Sequence, residues 1–230
     1  MRVVLFGASG MVGQGVLLEC LRDPGVTEVL AIGRSPLGRT DPKLRELVLP
    51  NVGDLSGHGS ELRGWDAGFW CLGVSSVGKS EEEYRRVTYD LTLSAATFLA
   101  AASPGMTFVY VSGAGTDSTE KGSSMWARVK GATENAVGRL PFHAVFYFRP
   151  GIIQARYGVR SKTTGYRIAY VLLYPILLLV RAVAPNSMTS TDRVGRAMLA
   201  VVRRPPSNRV VGTREINALA SETSVPGQAS

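Results

Sequence analysis

Gly7, Gly10 and Gly13 stand three residues apart at the end of an apolar run, Val-Val-Leu-Phe-Gly7-Ala-Ser-Gly10-Met-Val-Gly13. Glycines spaced this way between a strand and a helix build a phosphate cradle for a dinucleotide. Gly7 permits the tight turn, Gly10 lets backbone approach a pyrophosphate, and Gly13 allows helix and strand to pack closely. The new helix aims its free N–H groups at the anion, which makes Ser9, Met11 and Val12 candidate contacts beside the glycines. The pattern is G-x-x-G-x-x-G rather than G-x-G-x-x-G. A glycine-rich turn serving packing alone is the competing reading.

The second apolar run ends Ala31-Ile32-Gly33-Arg34-Ser35. An acidic residue at this point takes a ribose 2′-OH, whereas Arg34 offers a guanidinium fork suited to a 2′-phosphate. Ser35 adds a hydroxyl donor. The expected cofactor is therefore NADP(H) in preference to NAD(H), against a reading of Arg34 as a solvated loop charge. Asn51-Val52-Gly53-Asp54-Leu55 follows the third run. Asp54 either accepts from an adenine amino group, with Leu55 packed on the ring, or forms a turn. Small residues in Cys71-Leu72-Gly73-Val74-Ser75-Ser76 let the backbone at Leu72 and Gly73 pass close to a cofactor.

The elements that must position these groups alternate strand and helix, the pattern of βαβ units and a parallel sheet. Strands are expected near 2–6, 28–32, 45–49, 67–72, 107–111 and 143–148, with a seventh near 209–212. Helices fit 12–22, 81–102, 125–139 and 191–203. The stretch 219–230 is polar, with Pro226 and Gly227, and reads as disordered.

A chain of 230 residues fits one α/β domain with a modest extension. Cys20 and Cys71 fall in apolar stretches and read as buried thiols of a reducing compartment. The N-terminal residues carry no signal-peptide pattern, so secretion is not expected and the expected location is cytoplasmic. His58 and His143 are too far apart and too poorly accompanied for a zinc site. The net charge of +8 arises wholly after residue 150, where 11 basic residues face 3 acidic ones. Such a region attracts anions or an anionic membrane. No nucleic-acid motif accompanies it, so nucleic acid is not an expected partner.

These segments, together with Val111-Ser112-Gly113, Trp126-x-x-x-Lys130 and Arg149-Pro150-Gly151, resemble the extended and atypical branch of the short-chain dehydrogenase/reductase superfamily. Within it the chain is similar to the epimerase-like small NADP-binding proteins of the human Tat-interacting oxidoreductase group. The resemblance covers about 1–155 well and 190–213 loosely. It implies an α/β fold, a doubly wound parallel Rossmann sheet with a small C-terminal helical segment on the substrate side. The implied organisation is a cofactor-binding core at 1–155, substrate-side helices at 156–213 and a flexible tail at 214–230.

In that superfamily a Ser positions the substrate oxygen and a Tyr relays the proton. A Lys four residues after the Tyr lowers the phenol pKa and holds the nicotinamide ribose. Ser112 and Lys130 match the Ser and Lys, and Trp126 stands where the Tyr belongs. An indole donates a hydrogen bond but does not exchange a proton near neutral pH. The resemblance also implies that Pro150 and Gly151 back the nicotinamide end; a plain strand-ending turn is the alternative. Tyr157 and Tyr166 are candidate substitute phenols, with surface tyrosines as the bland reading.

Ile168–Val180 is an uncharged run of 13 residues between Arg167 and Arg181, too short to span a bilayer. It reads as a helix lining a pocket for a hydrophobic small molecule. Alternatively it lies on an anionic membrane surface, with Arg156, Arg160, Lys162, Arg167 and Arg181 facing headgroups. Two functions stay open: an NADP-dependent oxidoreductase on a hydrophobic carbonyl compound, or a non-catalytic NADPH-binding sensor or scaffold at a membrane surface or partner protein.

Overall fold

Val3-Val4-Leu5-Phe6 is apolar on both sides of a strand, so it is stable only between two layers. It forms β1 (Arg2–Phe6), the third strand of a seven-stranded parallel sheet. The computed structural model describes residues 1–156 and 187–222. β1 pairs with β2 (Glu28–Gly33) on one side and with β4 (Ala67–Trp70) on the other. β3 (Leu44–Val48) forms one edge beyond β2. β5 (Thr107–Val111), β6 (Ala144–Arg149) and β9 (Val210–Gly212) extend the far side, giving the order β3-β2-β1-β4-β5-β6-β9. This is the doubly wound arrangement anticipated from the alternating pattern, and the strand order reverses at β1.

Strand alternation divides the core in two. Val3 and Leu5 face a cluster with Val16, Leu17 and Cys20 of α1 (Met11–Arg22) and Val194, Met198 and Val201 of α5 (Thr191–Arg203). Val4 and Phe6 face the opposite cluster, with Ala95, Ala96 and Leu99 of α3 (Leu91–Ala102) and Val137 of α4 (Met125–Val137).

Three segments depart from expectation. The helix anticipated over 81–102 is instead α2 (Glu81–Arg85), a π-helical turn at Arg86–Asp90, and α3. Ser80 opens it with a capping box: its hydroxyl accepts from Glu83 N–H at 3.2 Å, and Glu83 Oε2 accepts from Ser80 N–H at 3.0 Å. β7 (Ile152–Gln154) and β8 (Met188–Ser190) form a separate two-stranded parallel pair that was not anticipated. The tail expected to be flexible from 214 instead starts as α6 (Thr213–Glu222), because Ile216 and Ala220, one turn apart, are buried in the α1–α5 cluster. Tyr157, Tyr166 and Ile168–Val180 lie outside the described residues.

Candidate functional site

A groove of about 600 Å³ opens over the carboxyl ends of the central strands, beside the point where the order reverses. Gly7, Ala8 and Ser9 after β1 line it, with Ala31 to Ser35 of β2 and its loop. Glu46, Leu47 and Val48 of β3, Val52 and Leu72 complete the lining. Gly7 has φ +79°, which glycine adopts without penalty, and a Cβ there would meet the Cys71 carbonyl carbon at 2.7 Å. Gly10 N–H donates to the Gly7 carbonyl at 2.9 Å and closes the turn. A Cβ on Gly13 would sit 2.0 Å from that same carbonyl oxygen, so the first turn of α1 rests directly on the β1 exit. No acidic residue occupies that turn, which leaves the helix N-terminus electropositive toward the groove.

Arg34 and Ser35 are exposed at the groove's outer end. Arg34 makes no ion pair or hydrogen bond among the described residues, so its guanidinium is available to an anion. Glu46, which sequence reasoning missed, lines the same end, and its Oε2 accepts from Leu37 N–H at 2.8 Å. It braces the loop that carries Arg34; period-two alternation along β3 was the signal that could have found it. Asp54 and Leu55 do not join this lining. Asp54 is exposed and its carboxylate accepts from Ser56 N–H at 3.0 Å and Ser56 hydroxyl at 2.6 Å, the turn-forming alternative. Leu55 is fully buried in the core, so its side chain is not on a ring face as first expected.

A second cluster of groups is built where β5, β6 and α4 converge. Lys130 and Trp126 are one turn apart on α4 and share a face. The indole lies against the Gly113–Gly115 turn, its Cη2 3.4 Å from where a Gly115 side chain would begin. The Lys130 ammonium donates to the Ser112 carbonyl. Burial pushes its pKa down to about 8, while the Glu134 charge pulls it upward. The Ser112 hydroxyl donates to Glu134 Oε1 at 2.6 Å, and Glu134, 2% exposed, is paired with Arg149. Gly151 N–H donates to Thr213 Oγ1 at 2.9 Å, and Pro150 is buried beside it.

No family model matches the chain. Protein HTATIP2 of Rattus norvegicus is 30% identical over 153 residues, covering 66% of this chain and 62% of that protein. Protein fmp52, mitochondrial, of Emericella nidulans is 30% identical over 158 residues, 66% of each. The chain thus spans under two thirds of the length of these curated relatives. Among solved structures, the terminal R domain of the myxalamid PKS-NRPS pathway superposes with TM-score 0.70 at 18% identity, covering 92% of this chain and 64% of that one. The Bordetella bronchiseptica enzyme WbmF in complex with NAD+ gives 0.66 at 15% identity, with 96% and 76% covered. The chain is thus similar to these two proteins over about two thirds of its length, and it shares its doubly wound fold with a solved short-chain dehydrogenase/reductase superfamily protein of Agrobacterium tumefaciens.

Lys130 stands on the α4 face beside the end of β5. The Ser112 hydroxyl was expected to position a substrate oxygen, yet it is 5% exposed and turned inward, because the buried Glu134 carboxylate is its strongest acceptor. Ser9, Gly33 to Ser35 and Leu72 are brought to one groove with Gly7; Met11, Val12 and Gly73 are not among its lining. Gly73 has nothing within 4 Å of a notional Cβ and stands open to solvent. Cys71 is half-buried rather than buried, and burial raises both thiol pKa values. Among the described residues, no cluster of three His, Cys, Asp or Glu is placed to hold a metal. None of their helices is long and apolar enough to cross a membrane.

The loop that supports Trp126 is tied down by Asp117. Its Oδ1 accepts from Thr119 hydroxyl at 2.6 Å and Thr119 N–H at 2.9 Å, and its Oδ2 from Gly122 N–H at 2.7 Å and Lys121 N–H at 3.0 Å. The Thr119 hydroxyl and the backbone donors hold the carboxyl near a pKa of about 2 against an ordinary 3.8. A carboxyl whose pKa is depressed by folding contributes stability above its unfolded value and loses it as pH falls through the folded one. Thermal unfolding between about pH 4 and pH 2 is therefore expected to show a stability loss that Asp117→Asn blunts. An identical acid limb in the variant would refute this role for Asp117.

Proposed function

We propose that the groove binds a nicotinamide dinucleotide, NADP(H) in preference to NAD(H), and that the protein is an oxidoreductase acting on a hydrophobic carbonyl compound. The observation that carries this is the cradle. Gly7 at positive φ and the electropositive start of α1 face the same groove as the unpaired Arg34. Solved proteins of the same fold hold NAD+ or NAD, including WbmF and a short-chain dehydrogenase/reductase of Agrobacterium tumefaciens, which supports the reading. Gly7, Ser9, Gly10 and Gly13 would hold the pyrophosphate, Arg34 and Ser35 the 2′-phosphate. Lys130 would hold the nicotinamide ribose, with Pro150 and Gly151 behind the ring. The bound cofactor would supply or accept a hydride.

Lys130 Nζ offers a proton that is labile near neutral pH, with its pKa of about 8. Trp126 packs on the Gly113–Gly115 turn and offers an N–H that does not titrate. Two observations favour a second reading, an NADPH-binding sensor or scaffold at a membrane surface or partner protein. An indole replaces the family phenol, and the Ser112 hydroxyl is spent on Glu134. The proton relay of the family then has two members out of place.

Calorimetric titration with NADPH and NADH tests the common part of both readings. NADPH is expected to bind more tightly, and Arg34→Ala to weaken it about 10–100-fold, the worth of one charged fork on a phosphate, with NADH changed by about threefold or less. Equal losses for both nucleotides would remove Arg34 from the 2′-phosphate. Binding of neither would remove the groove as a dinucleotide site. NADPH oxidation with an apolar aldehyde or ketone then separates enzyme from sensor.

A further inference from the structure

Glu134 lies one helical turn beyond Lys130 on the same face of α4, 2% exposed, at the centre of a chain of polar contacts. Its Oε1 accepts from the Ser112 hydroxyl at 2.6 Å and from Arg149 Nε at 3.1 Å, and Arg149 also bonds its Oε2. Arg149 Nη2 continues to Ser118 Oγ at 2.5 Å. Ser112 N–H donates to the Phe148 carbonyl at 2.8 Å, so the exits of β5 and β6 and the middle of α4 are locked together. The Lys130 ammonium rests on the Ser112 carbonyl, the backbone of the residue whose side chain Glu134 grips. We infer that Glu134 is the positioning residue of this site: it fixes the carbonyl that receives Lys130, and its charge keeps that buried ammonium protonated.

No other carboxylate on the surrounding elements does this. Asp117, whose loop crosses α4, is spent on Thr119, Lys121 and Gly122. Glu120 accepts from Asn135, and Glu81 of α2 pairs with Arg128. Arg86 and Asp90 of the π turn are exposed, and α3 carries no charged residue. Tyr84 of α2 and Tyr110 of β5 are buried phenols whose pKa values burial raises, so both stay neutral. Arg149, the remaining cation, faces Glu134. A half-buried ammonium with a single carbonyl acceptor loses its proton more readily unless an anion stands close. Glu134 is that anion.

The role in cofactor binding rests on the reading of Lys130 as the ribose ligand, but the charge state of Lys130 is measurable without cofactor. Lys130 is one of five lysines, so its ε-carbon resonance in lysine-labelled protein is assignable by Lys130→Arg. Glu134→Gln is expected to lower its titration midpoint by about one pH unit, and Glu134→Asp to leave it within about half a unit. Loss of folding would push the midpoint the other way, toward an ordinary lysine near 10.4. The double variant Glu134→Gln with Arg149→Met removes both buried charges, a change that is often tolerated, and is expected to lower the midpoint as well. An unchanged or raised midpoint in either folded variant overturns the inference. In parallel, NADPH affinity at about pH 8 is expected to fall about fivefold in Glu134→Gln and to change less than about threefold at pH 6. Should wild-type protein bind no NADPH, the cofactor reading fails while the Lys130 titration still decides the role of Glu134.

Discussion

Gly13→Ala is expected to abolish dinucleotide binding and to lower the melting temperature by about 4–8 °C. Two effects oppose each other at this position. In an ordinary helix, replacing glycine by alanine gains about 1 kcal/mol of propensity. Here the added Cβ would stand 2.0 Å from the Gly7 carbonyl oxygen and 2.6 Å from its carbon, both backbone atoms that no rotamer change can move aside. Overpacking against a rigid neighbour costs about 3 kcal/mol or more, so the clash outweighs the propensity. Relief requires α1 to lift off β1, which breaks the Gly10 N–H to Gly7 carbonyl bond and opens the cradle. Gly73→Ala is the control. Nothing lies within 4 Å of its Cβ, so stability is expected to stay within about 0.5 kcal/mol. Differential scanning calorimetry and NADPH titration of both variants decide the matter; equal melting temperatures would refute it.

Gly131→Ala is expected to be as damaging where α4 meets the loop after β5. Its Cβ would fall 1.8 Å from the Asp117 carbonyl oxygen and 2.5 Å from the carbonyl carbon. The loop from Ser112 to Ser124 crosses α4 at this glycine and is pinned beside it by the bond from Asp117 N–H to the Ala127 carbonyl at 3.1 Å. An alanine lifts the loop, and with it the Gly113–Gly115 turn beneath Trp126 and the Ser118 hydroxyl that Arg149 holds. The loss is again about 3 kcal/mol or more, against a helix propensity gain of about 1 kcal/mol. Tryptophan fluorescence is expected to shift as the indole loses its seat. A variant as stable as wild type, with unchanged emission, would refute the placement.

These two glycines mark how far the chain could be read. Gly13 was legible because its partner, Gly7, is six residues away within one strand–turn–helix unit. Gly131 was not, since the carbonyl it must avoid is fourteen residues upstream in an irregular loop. The same distinction runs through the fold. Seven strands and the sheet class followed from local apolar runs, whereas β7 and β8 pair three residues with three across a separation of 36 and leave no local pattern. α6 escaped notice because its buried stripe is only Ile216 and Ala220. At the site, the types of Ser112 and Lys130 were evident, but the direction of the Ser112 hydroxyl is set by Glu134, 22 residues later. The spacing of Lys130 and Glu134, one helical turn, was the one clue to that carboxylate.

The π turn between α2 and α3 is a length adjustment. Leu91 N–H reaches the Arg86 carbonyl five residues back rather than four, so the turn absorbs one residue more than an α-helical turn does. Each residue advances an α-helix by about 100°, and a regular helix over 81–102 would swing Ala95, Ala96 and Leu99 away from the sheet if Tyr84 kept its place. The bulge cancels that rotation. A chain shorter by one residue within 86–90 reaches the same packing through an uninterrupted helix, with Tyr84 and Leu99 where they are now. Insertion or deletion at this point is therefore invisible to the core, and a single-residue gap is to be expected there wherever related chains are superposed.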